Sequence, residues 1–254
     1  MIILDEMNYA EEIIEAKSYP KLKDLIILAK YYRYKGYNQS EIKTALISFC
    51  KERESDWNAI RKNWKIKIAV EESEKYNLRI PSKTPITKAE LDAIEKVKDY
   101  DKEKILFVLL VLAKFLKYNN TKIKISKKPR QIGLYYVNED LIKIFQHARI
   151  KSVKKYRNKL SHELYDSGYI DGTVYNGIVV KYVQEDSPTS LFVSDYENIV
   201  LAYQRYKGEN IAGCSCGRLF IKKTKRYLCP VCQKHKRMLD KRKSEQKRRE
   251  TWTD

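Results

Sequence analysis

The stretch Thr173-Val174-Tyr175-Asn176-Gly177-Ile178-Val179-Val180 decides how the centre of this chain is read. Asn-Gly between two β-branched and aromatic runs is the strongest short-range signal for a β-hairpin, because both residues tolerate the positive φ that a tight turn requires. Working back from it, Ser152 predicts a cap for a helix running to about Asp166, after a break near 148–150. Asn138 predicts the cap of an earlier helix that buries Leu141, Ile142, Ile144 and Phe145. The alternation Lys122, Ile123, Lys124, Ile125 predicts a half-buried strand over 121–126, and Asp101 opens an apolar helix through Leu116.

Helix, strand, helix, turn, helix and hairpin is the order in which winged helix-turn-helix DNA-binding domains are built, and residues 101–183 resemble them in that order. The fold class expected is mainly α with small β elements, in three parts. A helical region covers 1–80, a central winged helix-turn-helix domain covers 86–194, and a C-terminal four-Cys zinc ribbon or knuckle with a basic helical tail covers 195–254. In the first part Leu25, Ile26, Leu28, Ala29 and Tyr32, then Ile42, Ala45, Leu46 and Phe49 after a cap at Ser40, repeat at helical spacing. A third stripe holds Trp57, Ile60, Trp64, Ile68 and Ala69, whose aromatics are expected to pack in the core. Pro81 and Pro85 mark the boundary, and Thr87 with Glu90 forms a capping box for a helix to about Lys98. Residues 191–194 predict a further strand and 195–207 a further helix.

The charge is localised. The chain carries 52 Lys+Arg against 33 Asp+Glu, a net of +19. Residues 121–163 hold 12 bases against 3 acids and residues 221–250 hold 13 against 3, so these two blocks, at +9 and +10, account for the whole excess. A surplus confined to two places points to a polyanionic partner that meets the chain there.

The expected helix of 152–166 sits in the first block. Val153, Tyr156, Leu160 and Leu164 fall on one face of its wheel, leaving Lys151, Lys154, Lys155, Asn158, Lys159 and His162 on the other and Arg157 at the flank. Lysines suit phosphates and guanine acceptors, whereas Asn pairs with the adenine edge, so Asn158 and His162 are the candidates for base reading. The competing reading is a solvated amphipathic helix face. Lys122, Lys124, Lys127, Lys128 and Arg130 add a second basic run. Lys234, Lys236, Arg237, Lys241, Arg242 and Lys243 begin a third, in a helix-favouring tail. All of them fit phosphate contacts, each of which makes binding more salt-dependent.

Cys214-Ser215-Cys216-Gly217 and Cys229-Pro230-Val231-Cys232, with twelve residues between Cys216 and Cys229, form the most specific motif. Two close Cys pairs a hairpin apart let four thiolates surround one Zn²⁺, with 218–227 expected to supply the strands. The first pair has one intervening residue where ribbons usually have two, which keeps His235 in view as a substitute ligand. A closed four-Cys set makes the expected zinc structural. A redox dithiol at Cys229 and Cys232, or unliganded thiols, are the alternatives.

No phosphate-binding glycine loop, dinucleotide fingerprint, HExxH or GxSxG is present, and no catalytic residue is expected. Cys50 lies on an apolar helical face as a core residue. The acidic N-terminus and short apolar runs predict a cytoplasmic protein with no membrane partner. The run from Tyr203 to Cys232 resembles the C-terminal zinc-knuckle region of uncharacterised proteins from phages and mobile elements of low-GC Gram-positive bacteria, which implies a context and no activity. The function expected is therefore a non-enzymatic, sequence-specific DNA-binding protein, a transcriptional regulator of a phage or mobile element. An RNA-binding accessory factor, or a phage protein engaging a host machine such as RNA polymerase or a defence complex, are the alternatives. Nucleic acid is the expected partner, DNA before RNA, and a homodimer and a host protein remain open.

Overall fold

A computed structural model of the chain describes residues 3–16, 18–54, 57–120, 135–151, 153–172, 177–223 and 227–250. The chain is mainly helical with small antiparallel sheets, and it divides into two compact units. The first contains residues 1–82, 112–139 and 170–181; the second contains 83–111, 140–169 and 182–254.

In the first unit, α1 (Glu6–Glu15), α2 (Leu22–Tyr34), α3 (Gln39–Arg53) and α4 (Ala59–Lys75) enclose one apolar cluster. Leu25, Leu28 and Ala29 from α2 meet Ile42, Leu46 and Cys50 from α3, and Ile66, Ala69 and Val70 from α4, all buried. The cap of α3 is Asn38 and not Ser40: its side chain accepts the Glu41 N–H at 3.0 Å while the Glu41 carboxylate accepts the Asn38 N–H at 2.7 Å. The α4 stripe is shifted from the expected one. Trp64 is 53% exposed, and the buried positions are Ile66, Ala69, Val70 and Ser73, which keep the i, i+3, i+4, i+7 spacing further along the wheel. Where Trp64 faces out, Lys65 lies over its ring.

The same unit holds a three-stranded sheet in the order β2-β4-β3, made of β2 (Tyr136–Val137), β3 (Ile170–Gly172) and β4 (Ile178–Val180). The hairpin exists, but its register differs from the one Asn176-Gly177 predicts. Ile170 pairs with Val180 and Gly172 with Ile178, whereas a two-residue turn at Asn176-Gly177 would pair Tyr175 with Ile178. Burial sets this register: Ile170 and Val180 are both almost fully buried, and a slip would move them to the other face. Residues 173–176 and the expected strand over 121–126 lie outside the described residues.

In the second unit, β1 (Thr84–Thr87) pairs antiparallel with β5 (Thr189–Val193), and Thr87 and Glu90 form the expected capping box at the start of α5 (Lys88–Glu95). The apolar helix is α6 (Tyr100–Asn120), buried without interruption from Ile105 to Leu116; its residues through Val111 belong to this unit and the rest to the first. Next come α7 (Leu141–His147) and α8 (Lys154–Asp166). The cap of α7 is Asp140, which accepts the Ile142 N–H at 2.9 Å; Asn138 lies just beyond β2, a strand too short to leave a pattern in the sequence. The cap position of α8 is Val153, without a side-chain hydrogen bond, and Ser152 lies outside the described residues. Of the elements expected in the winged helix, α7 and α8 fall in the second unit and β3 and β4 in the first. The chain continues through α9 (Ile199–Tyr206), β6 (Ile211–Gly213), β7 (Leu219–Ile221) and α10 (Pro230–Glu250). Among the described residues no helix is long and apolar enough to cross a membrane.

Candidate metal centre and basic surfaces

The four cysteines converge through two different local structures. The strands β6 and β7 pair with Gly213 opposite Leu219, and the first pair sits on the tip between them. The Cys214 N–H bonds to the Arg218 carbonyl at 2.9 Å and the Gly217 N–H bonds to the Cys214 carbonyl at 2.9 Å, so the chain turns tightly around the Cys214 side chain. Gly217 has φ +85°, in the left-handed region where a side chain would strain this turn. Of the strands expected over 218–227, β7 is present, but its partner β6 precedes Cys214, so the hairpin brackets the first pair.

The second pair lies at a helix start. Pro230 is the first residue of α10, where its missing N–H costs nothing and its fixed φ suits the helix. Cys229 therefore sits just before the first turn and Cys232 within it, and the Cys232 N–H donates to the Cys229 Sγ at 3.4 Å.

The sulfur atoms of Cys214, Cys216, Cys229 and Cys232 all lie within 4.8 Å of one another, and Cys216 and Cys229 approach to 3.6 Å. Tetrahedral Zn–S bonds of about 2.3 Å imply S···S separations near ~3.8 Å, so this cluster could hold a metal ion. Backbone hydrogen bonds at Cys229 and Cys216 bring the Cys214 thiol down to about 6, while hydrogen bonds to Cys216, Cys229 and Cys214 push the Cys232 thiol up to about 12. Crowding the sulfurs together has this consequence: the first proton leaves easily and the last is retained. Four soft sulfur donors suit Zn²⁺. His235 is exposed on α10 and is not part of the cluster. The apolar support is slight, since Cys214, Phe220 and Cys229 are the buried members, with Ala212, Leu228 and Cys232 packed against them. Asp195 ties the hairpin to the rest of the unit by accepting the Leu219 N–H at 2.6 Å, and Glu197 meets Arg218 at 3.1 Å.

The basic residues sort by accessibility. On α8, Leu160 and Leu164 are buried, Tyr156 donates to Asp101 of α6 at 3.2 Å, and Glu163 meets Lys102 of α6 at 2.9 Å. Val153, expected on the inner face, is 72% exposed because it caps the helix and lies outside its packed turns. The opposite face presents Lys151, Lys154, Lys155, Asn158, Lys159 and His162, all exposed, with Arg157 half-buried. Lys159 reaches Glu163 at 3.8 Å, and the other lysines of the face have no acidic partner among the described residues. Lys234, Lys236, Arg237, Lys241, Arg242 and Lys243 are exposed along α10, where Met238 and Leu239 are also largely exposed. Lys122, Lys124, Lys127, Lys128 and Arg130 lie outside the described residues. Cys50 is buried in the first unit, where burial pushes its thiol up to about 11, as suits a core residue. The chain matches no family model, no curated protein and no solved structure.

Proposed function

We propose that the protein is a non-enzymatic DNA-binding protein, a regulator of phage or mobile-element type, that reads duplex DNA with α8 and is stabilised by one structural Zn²⁺. The observation that carries this reading is the division of α8. Its Leu160 and Leu164 are buried and its Tyr156 and Glu163 engage α6, while its outer face holds Lys154, Lys155, Lys159, Asn158 and His162, with Lys151 just before the cap. In this reading α7 and α8 of the second unit are the helix-turn-helix, with α8 as its recognition helix. The lysines contact phosphate and position the helix in the major groove, while Asn158, and His162 one turn on, face base edges. Cys214, Cys216, Cys229 and Cys232 would hold the zinc, which supplies structural cross-linking and, with all four positions filled, no chemistry of its own. The basic α10 then adds sequence-independent phosphate contacts.

Duplex binding to a selected site, measured across salt concentrations, tests this. Asn158→Ala is expected to cost roughly 1–3 kcal/mol on the preferred site and nothing on unrelated DNA. Lys154→Ala with Lys155→Ala should weaken both equally and flatten the salt slope by roughly 0.9 for each phosphate no longer neutralised. Affinity independent of salt, or indifferent to these three changes, would refute the reading. Tighter binding of structured RNA than of any duplex would replace DNA by RNA.

A further inference from the structure

A cleft of about 410 Å³ opens in the second unit beside the metal hairpin, and Phe192, Ser194, Arg205, Tyr206, Gly213 and Gly217 are among the residues that line it. Its size falls within the roughly 300–1,000 Å³ of small-molecule and cofactor pockets. We infer that this cleft receives an unpaired nucleobase of the bound nucleic acid; the inference rests on the nucleic-acid reading and narrows the substrate to one that presents an unstacked base.

The first reason is aromatic exposure. Phe192 is 61% exposed on β5, on the strand face opposite the buried Val193. Its ring is left uncovered beside the cleft instead of packing into the core. The second reason is rigidity. Tyr206 stands at the outer end of a column of rings: Phe107 packs on Tyr203 with centroids 5.0 Å apart, and Tyr203 stacks on Tyr206 at 6.0 Å and 30°. The middle ring is fixed at its far end, since the Tyr203 hydroxyl donates to the buried Glu103 at 2.8 Å. A ring held from behind loses little freedom when a base stacks on it, so the contact favours binding more than a mobile ring would.

The third reason is charge. None of the residues lining the cleft is acidic, and Arg205 brings a guanidinium, which both attracts phosphate and stacks on bases. The Tyr206 hydroxyl also meets the Lys88 ammonium, which Asp92 shares. An apolar peptide would use the same rings but gains nothing from Arg205 and these tyrosine and lysine groups, so the base is the better fit.

The test uses the full-length, zinc-loaded protein with two oligonucleotides, one a fully paired duplex and the other the same duplex carrying a single bulged 2-aminopurine. Wild type is expected to bind the bulged form more tightly and to quench its fluorescence by stacking. Phe192→Ala should weaken the bulged form about tenfold or more and abolish the quench while leaving the paired duplex unchanged; Phe192→Trp should restore both. Phe192 is exposed, so its replacement does not threaten the fold. A quench that survives Phe192→Ala, or equal losses on both oligonucleotides, overturns the inference. If Asn158→Ala and the α8 lysine changes leave duplex binding intact while Phe192→Ala abolishes the quench, the α8 reading fails and the base site stands. Binding of an apolar peptide in the cleft that displaces no oligonucleotide would also overturn it.

Discussion

At the scale of single residues, the first unit contains a buried ion pair whose desolvation makes it sensitive to change. Lys30 and Glu6 are 6% and 3% exposed, and the Lys30 ammonium sits 3.0 and 3.1 Å from the two Glu6 oxygens. Glu6 also accepts the Arg79 N–H at 2.9 Å and meets the Arg79 guanidinium at 3.7 Å, so one carboxylate serves two cations and a backbone donor. Burial pulls the Lys30 ammonium below its usual value and Glu6 opposes this by pulling it up. Removing the charge, as in Glu6→Gln, leaves the ammonium without a counter-charge and is expected to cost about 3–5 kcal/mol in denaturant unfolding. Lys30→Met with Glu6→Leu should cost far less, since it removes both desolvation penalties; equal losses would show that the pair's charge is not what matters. Cys50 supplies a pH test. Its thiol ionises near 9.0 when unfolded and near 11 when folded, because burial disfavours the thiolate. The folded state therefore keeps a proton that the unfolded state loses, and the associated stability is present below pH ~9 and lost as pH rises through ~11. The stability gap between wild type and Cys50→Ala should narrow by about 2–3 kcal/mol across that window. A gap independent of pH would contradict the burial of the thiol.

At the scale of elements, legibility followed the locality of the signal. The α5 capping box, the apolar α6 and the buried faces of α2 and α3 were readable because spacing and a cap residue decide them within a few positions. The hairpin was readable as a pair of strands but not in register, because the burial of Ile170 against Val180 is a tertiary preference that outweighs the local attraction of Asn-Gly. The α4 stripe shifted for the same reason: Ile66, Ala69 and Val70 fit the α2 and α3 surfaces better than the bulky Trp64. At the candidate metal site, the grouping of the four cysteines and the strand β7 were legible from spacing, whereas β6 and the helix start were not, since Pro230 reads equally as a loop stiffener and as a helix opener. That distinction matters for α10, which is exposed on every side over residues 234–245. A helix with so little packed surface is marginal in water, so its order depends on its start. If a metal fixes Cys229 and Cys232 there, chelation should lower the helical circular dichroism by up to the share of α10. Cys229→Ser should do the same, and readdition of Zn²⁺ should restore the signal only where four cysteines remain. Helicity unmoved by chelation would separate α10 from the metal.

At the scale of the molecule, the two basic blocks named by the sequence behave differently. Much of the first block, 121–134, lies outside the described residues, but α8 and α10 both belong to the second unit, so one ligand engaging that unit has access to both. If a single duplex contacts both, the charge effects add in one binding isotherm. Neutralising Lys151, Lys154, Lys155 and Lys159 of the α8 face to Gln should reduce the slope of log affinity against log salt by at most about 3.6, and Lys241, Arg242 and Lys243 of α10 by at most about 2.7. The variant carrying all these changes should show the sum of the two reductions, since charges that release counterions from the same duplex contribute independently. Reductions that do not sum, with one set affecting only stoichiometry or a second, weaker event, would mean that α8 and α10 meet different ligands. Because both sets are exposed, the variants should fold as wild type, and unchanged thermal unfolding is the control that makes the slope a statement about binding.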